Sequence, residues 1–322
     1  MSKKIKLTLQ ILSLCLIASC FLFFNASIYL VFTSKCQSNF GDINHQPKII
    51  EVDQYLPFDE NSKIVKINSS IKIEDNIPIL DGATALLPIY SSIAHAIYPE
   101  DSVIFDGEKY TEDSSIRFTD TKYAYLGLID GDVDIIICAA PSGSIIDYAK
   151  EKNVELEMIP IGKEAFVFLN HINNPVNNLT IQQVKDIYLG KIISWHQVGG
   201  PLRLINPLTR PEASGSQSVM NSFMKTSTYT KKPLQVFGSS IGFSFRFYVE
   251  DLVGNSKVKT IALNGIEPTK ENIANNTYPI TVNFYAIYRK DNNNPNIQKV
   301  IDFILSEEGQ YIIEETGYVK IN

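Results

Sequence analysis

Short continuous apolar runs alternate with amphipathic stretches along most of this chain. Ile77–Leu80, Val133–Cys138, Leu156–Ile161, Ala165–Leu169 and Phe284–Tyr288 have the length and composition of strands. The run ending at Cys138 is apolar enough to predict a parallel strand buried on both faces. Between the runs, Leu87, Tyr90, Ile93, Ala94 and Ile97 recur at helical spacing, with Pro88 in the first turn, where a missing N–H costs nothing. A helix over Tyr123–Ile129 ends at Gly131. Another opens on a capping box, Thr180 followed by Gln183, runs through Val184 and Ile187 and stops at Gly190. Val219–Met224 and Ile297–Ile313 also carry helical spacing, and a short strand is expected within Ser62–Ile73. Strand followed by helix, repeated, predicts an α/β fold with its ligand at the carboxyl ends of strands.

The first 34 residues break this pattern. Lys3, Lys4 and Lys6 precede a stretch from Leu7 to Ser34 without a charge. Ile11 to Phe32 supplies the roughly 20 apolar residues that a membrane helix needs. Lysines ahead of it keep that end cytoplasmic and place the rest of the chain outside. A cleaved signal segment has a shorter apolar region of roughly 7–15 residues, which favours an uncleaved anchor. Ile17-Ala18-Ser19-Cys20 resembles the lipobox of bacterial lipoproteins, with Cys20 as the lipidated residue, although Phe21–Phe24 continues apolar where such proteins turn polar. Both readings tether the protein to the extracytoplasmic face. The polar stretch over residues 35–76, with Pro47 and Pro57, reads as the tether.

Composition narrows the chemistry. With 322 residues, 44% of them hydrophobic, the chain can build one large or two medium cores. A net charge of −6 without a basic tract beyond the first residues argues against nucleic-acid binding. The four cysteines and His45, His95, His171 and His196 are scattered, so no metal site and no cofactor are expected.

One stretch does suggest binding chemistry: Thr209-Arg210-Pro211-Glu212-Ala213-Ser214-Gly215-Ser216-Gln217. It sets a permanent cation beside a hydroxyl and glycine turn that opens a helix. Unpaired N–H groups at a helix start, with hydroxyls and a guanidinium nearby, suit a tetrahedral oxyanion. Two other helix starts have the same character: the one after Asp81-Gly82, with Thr84 and Ala85, and the one after Arg117–Thr121, with Thr121.

An ordered series of segments resembles the PstS-like family, the phosphate-binding proteins of bacterial phosphate ABC transporters. It comprises Pro160–Asn170, Asn174-Pro175-Val176, Leu179-Thr180, Asp186–Ile192, Trp195, Val198-Gly199-Gly200, Arg210 with Ser214-Gly215-Ser216, Ile241-Gly242-Phe243 and Tyr278-Pro279-Ile280. The resemblance, over about Leu80 to Ile321, implies a two-lobed type II periplasmic-binding-protein fold with the ligand cleft between lobes. On this chain lobe 1 is residues 77–157 plus 281–322 and lobe 2 is residues 158–280, joined by two crossover strands. It further implies a binding protein rather than an enzyme, with ABC permease subunits as partners. The ligand residues it implies are Thr84, Ala85, Thr121, Arg210, Ser214, Gly215 and Ser216. One departure stands out: where better-known members carry an aspartate that accepts the proton of phosphate, this chain has Ala139. An oxyanion is still expected to bind, with phosphate-over-sulfate selectivity in question; Asp120 or Glu212 are the nearby carboxylates. A membrane-anchored oxyanion sensor or adaptor of the same fold is the alternative.

Overall fold

The computed structural model describes residues 51–210, 214–225, 229, 238–252, 254 and 257–321, together with Ser19. The expected membrane segment, Cys20 and most of the tether's first half lie outside the described residues. So does Glu212. Among the described residues no helix is long and apolar enough to cross a membrane.

The chain builds the predicted α/β alternation. Strand β1 (Leu80–Gly82) leads through a 3-10 turn (Thr84–Leu86) to helix α1 (Leu87–Ile97). Helix α2 (Thr121–Asp130) ends on Gly131 in the left-handed conformation, then β2 (Ile135–Ala139) and α3 (Gly143–Glu151) follow. Next come β3 (Leu156–His171), β4 (Asn178–Leu179), α4 (Ile181–Tyr188), β5 (Leu204–Pro207) and α5 (Gly215–Met224). The last third holds β6 (Gly238–Phe245), β7 (Val258–Leu263), α6 (Lys270–Ala274), β8 (Thr281–Arg289), α7 (Ile297–Leu305), α8 (Glu307–Thr316) and β9 (Val319–Lys320). The capping box of α4 forms as expected: the Thr180 hydroxyl accepts from the Gln183 amide at 3.0 Å, and the Gln183 side chain accepts from the Thr180 amide at 2.8 Å.

The strands share one sheet in the order β1-β2-β8-β3-β6-β5. β1 and β2 are parallel, and β2 then meets β8 antiparallel. Two strands were expected at Leu156–Ile161 and Ala165–Leu169; a single 16-residue strand is found. Its register against β8 shifts between Pro160 and Gly162. Proline has no N–H to give to a ladder and is tolerated at such a bulge, so the strand bends there instead of ending. Gly162 is required because a Cβ would stand 2.2 Å from the Phe284 ring. The first half of β3 pairs with β8, while Phe166–Leu169 pairs with β6 and Phe168–His171 with β7.

Burial follows this division. On one side Leu87, Tyr90 and Ile93 of α1 pack with Val300 and Phe303 of α7 and Ile313 of α8, and a smaller cluster lies under α2 and α3. On the other, Phe166 and Phe168 of β3 pack with Trp195, Met220, Phe243 and Ile261. Each such side chain contributes about 1.5–3 kcal/mol by leaving water, so both clusters are substantial cores. The fold is the expected two-lobed α/β arrangement, with β3 and β8 running between the cores.

Two local expectations are corrected. Residues 62–73 form no strand: the Val65 amide bonds the Ser92 hydroxyl at 3.1 Å and the Ile73 amide bonds the Ile97 carbonyl at 2.8 Å, so α1 takes the donors a neighbouring strand would have used. With Ile64 and Ile73 buried, this part of the expected tether is packed down. The helix over Ile297–Ile313 divides at Ser306, whose backbone is extended and whose hydroxyl caps the Gly309 amide at 3.3 Å. Neither the 3-10 turn nor α1 begins with a side-chain cap, so Thr84 caps neither.

Candidate functional site

Parallel pairing sends the chain out of β1 and β2 at the same end of the sheet, its rim at the strands' carboxyl ends. The turn with Thr84 and Ala85 leaves that end after Gly82, and Ala140–Ser142 leaves it after Ala139. The segment into α2 runs along the other side of β1, where the Arg117 amide bonds the Leu80 carbonyl at 2.7 Å. Two loops that follow strands and the segment that opens α2 therefore come to one end of the sheet. In the other half β5 and β6 are also parallel, and the chain leaving β5 carries Arg210 toward α5.

These two halves meet at Thr121 and Gly215; Thr84, Ala85, Arg210 and Ser216 are not among the residues lining the hollow there. A Cβ built on Gly215 would lie 3.8 Å from both Cγ2 and Oγ1 of Thr121 and 4.0 Å from Cβ of Ala139. The starts of α2 and α5, almost 100 residues apart in sequence, thus face each other across the end of β2. The hollow between them is lined by Thr121, Lys122, Tyr125, Ser142, Ser214 and Ser218, among others. Among its described lining residues there are hydroxyls and an ammonium and no carboxylate.

The details modify the expected set. Ser214 caps α5, its oxygen accepting from the Gln217 amide at 3.2 Å, which leaves its O–H free to donate. Gln217 in turn accepts from the Arg210 amide at 2.9 Å, folding the backbone of Arg210 onto the first turn of α5. Burial pushes the Tyr248 hydroxyl up, and the Arg210 guanidinium, which hydrogen-bonds to it, pulls it back. Ser216 is only 6% exposed and does not line the hollow, whereas Ser218, one turn beyond Ser214, does. The i, i+4 spacing of the two serines was the available signal for this.

At α2, Asp120 takes two of the helix-start amides: its carboxylate accepts from Lys122 at 2.8 Å and Tyr123 at 3.3 Å. Its backbone sits at φ 93° and ψ 169°, a region that glycine alone enters easily. Asp120 is therefore a strained cap. Ala139 does face α5, and its carbonyl accepts from the Tyr125 hydroxyl at 2.7 Å.

Sequence reasoning passed over Asp81, read only as part of a turn. It is 1% exposed and accepts from the Thr119 hydroxyl at 2.5 Å, the Gly82 amide at 2.7 Å and the Thr119 amide at 3.2 Å. Burial pushes its carboxyl up to about 6, against the pull of those bonds. It anchors the approach to α2. Thr84 and Ala85 stand at the same end of the sheet, with the Ala85 carbonyl taken by the Tyr318 hydroxyl at 2.6 Å.

A family model described as a PBP superfamily domain matches residues 79–308, most of the chain. The chain belongs to the PBP superfamily. Curated relatives include the phosphate-binding protein PstS of Borreliella burgdorferi, 27% identical over 178 residues, which are 49% of this chain and 63% of that one. The phosphate-binding protein PstS of Bacillus subtilis is 24% identical over 221 residues, 59% of this chain and 72% of its own. The chain thus spans just under two thirds of the first relative's length. Among solved structures, one with bound phosphate from Clostridium perfringens has a TM-score of 0.59 at 24% identity, covering 76% of this chain and 99% of that chain. An ABC-type phosphate transport receptor from Vibrio cholerae has a TM-score of 0.55 at 21% identity, covering 75% and 99%. The superfamily fold and the PstS-like resemblance read from the motifs agree.

Proposed function

We propose that this chain captures inorganic phosphate, or a similar tetrahedral oxyanion, between its two lobes outside the cytoplasmic membrane and delivers it to the permease subunits of an ABC transporter. The observation that carries this is the approach of Gly215 to Thr121 and Ala139, which sets two helix starts against each other beside Arg210. Amides at helix starts, hydroxyl donors and one guanidinium are what a multiply charged oxyanion requires. The PstS names of the curated relatives supply the ligand class.

In this reading the lobes are residues 77–157 with 281–322 and residues 158–280, and closure about β3 and β8 presents the loaded form to the permease. The ligand contacts are Thr84, Ala85, Thr121, Arg210, Ser214, Gly215 and Ser216, with Ser218 added from the lining of the hollow. Residues 1–34 hold the protein at the membrane, as an uncleaved helix or through lipid on Cys20. In this reading the chain is a binding protein, the class that the names of its curated relatives give.

Equilibrium titration of the purified chain with phosphate and with sulfate tests this. Saturable phosphate binding is expected, and its absence would overturn the proposal. Because the Ala139 side chain offers no acceptor for a protonated oxygen, sulfate should compete within about a hundredfold, the discrimination left when no buried partner is stranded by the wrong ligand. A preference for phosphate well beyond that would show an acceptor carboxylate reaching the anion from another position.

A further inference from the structure

The turn at Thr84–Leu86 has no side-chain cap at its start. The Ala83 amide donates to the Ile137 carbonyl at 2.9 Å and the Leu86 amide to the Ala83 carbonyl at 2.8 Å. A side chain from the far end of the sequence adds the third tie, the Tyr318 hydroxyl on the Ala85 carbonyl. The rigid peptide plane between Ala85 and Leu86 is thereby held on both sides, which restrains the backbone that carries the amides of Thr84 and Ala85.

Tyr318 is itself fixed by the strands that run between the lobes. Its ring lies 4.4 Å from that of Phe247 and 5.1 Å from that of Phe284 on β8, and it is 2% exposed. The preceding residue, Gly317, has φ 116° and accepts from Arg246 Nη2 at 2.6 Å. A Cβ there would stand 2.6 Å from the Phe247 ring, so the tail reaches this place only through glycine. The following residues, Val319 and Lys320, pair with Lys163 and Gly162 of β3, beside the register shift. Glu164, two residues past Gly162, accepts from the Phe247 amide at 3.1 Å. One continuous set of contacts therefore runs from the bend of β3 to the first ligand turn.

We propose that Tyr318 is a positioning residue for the anion: it ties the Thr84–Ala85 turn to the strands crossing between the lobes, so affinity depends on a hydroxyl that never touches the ligand. This rests on the binding reading above. The test is Tyr318→Phe, which removes one oxygen and keeps the ring. In the full chain, phosphate affinity should fall by about tenfold, the usual effect of one lost buried hydrogen bond. Amide hydrogen exchange at Ala85 and Leu86 of the phosphate-free protein should quicken, while the melting midpoint stays close to that of the wild type. A folded variant with unchanged affinity and unchanged exchange would overturn the proposal. So would a loss of stability with affinity intact, because that marks a purely structural role. If Tyr318→Phe does not fold, Phe247→Leu, which withdraws ring support but keeps the hydroxyl, should shift affinity and exchange in the same direction; no shift overturns the proposal. A wild-type chain that binds no phosphate removes the binding reading itself, whereas the exchange of the phosphate-free forms reports on the tyrosine tie separately.

Discussion

The turns at Thr84–Ala85 and Ser214–Gly215, which the proposed function assigns to one ligand, are built in opposite ways. The second is local: Ser214 caps its own helix, and Gln217 reaches back to the amide of Arg210 within one turn. The first has no cap and depends on a tyrosine 233 residues away. A locally held turn keeps its shape whatever the rest of the protein does. A turn held from a distance carries information about the element that holds it. The pair thus combines a fixed jaw with one that senses the crossing strands.

Substitutions can break this contrast or sharpen it. The largest effect is expected at Arg210, the cation shared by the fixed jaw: Arg210→Ala should weaken phosphate binding by about 1.5–3 kcal/mol, the range for hydrogen bonds to charged groups, as read by calorimetric titration. Unchanged affinity would mean that the site has been misplaced. Ser214→Ala should cost about 0.5–2 kcal/mol of stability in urea, because it removes a helix cap, as well as weakening the anion. Thr84→Ala should weaken the anion while leaving stability within about 0.5 kcal/mol, because Thr84 caps nothing. Equal stability losses at the two positions would erase the distinction between the jaws.

The prediction with the least bearing on anion affinity concerns the crossing strands. Burial pushes the Glu164 carboxyl from an ordinary 4.5 up to about 7, against the attraction of Arg246. A carboxyl raised in the folded state binds its proton more tightly there than in the unfolded chain. Its stabilising contribution is therefore full below about pH 4.5 and is lost as pH rises through about 7. Glu164→Gln should flatten the fall in urea stability between pH 5 and 7, leaving a residual slope from Asp81, which is raised to about 6 by the same cause. An unaltered slope would show that Glu164 does not titrate in that window.

Legibility in the sequence followed the same division. The order of strands and helices, the Thr180 capping box and the Ser214 turn were readable because each is written within a few neighbouring residues. The single long β3 was not: whether two apolar runs around Pro160 and Gly162 are one strand depends on β8, more than 100 residues downstream. Ser306 divides the last helix by a cap whose sequence signal is a single serine within an apolar repeat. Asp81 and Tyr318 were invisible for the same reason, since their partners at Thr119 and Ala85 come from other segments. The resemblance to known proteins pointed to the loops proposed for the ligand, but not to what stands behind them.

The position of β8 sets an order of assembly. It lies between β2 and β3, yet its residues come more than 110 positions after the start of β3, and the core beside it also needs Val300, Phe303 and Ile313. Residues 165–280 contain nearly all of the other core in one uninterrupted segment. As the chain emerges from N- to C-terminus, that half can condense early, while the half begun first waits with an open seam for the last 40 residues. A nascent chain stalled before Thr281 would leave β2 and β3 with one edge each exposed, and such bare edges invite pairing with another chain.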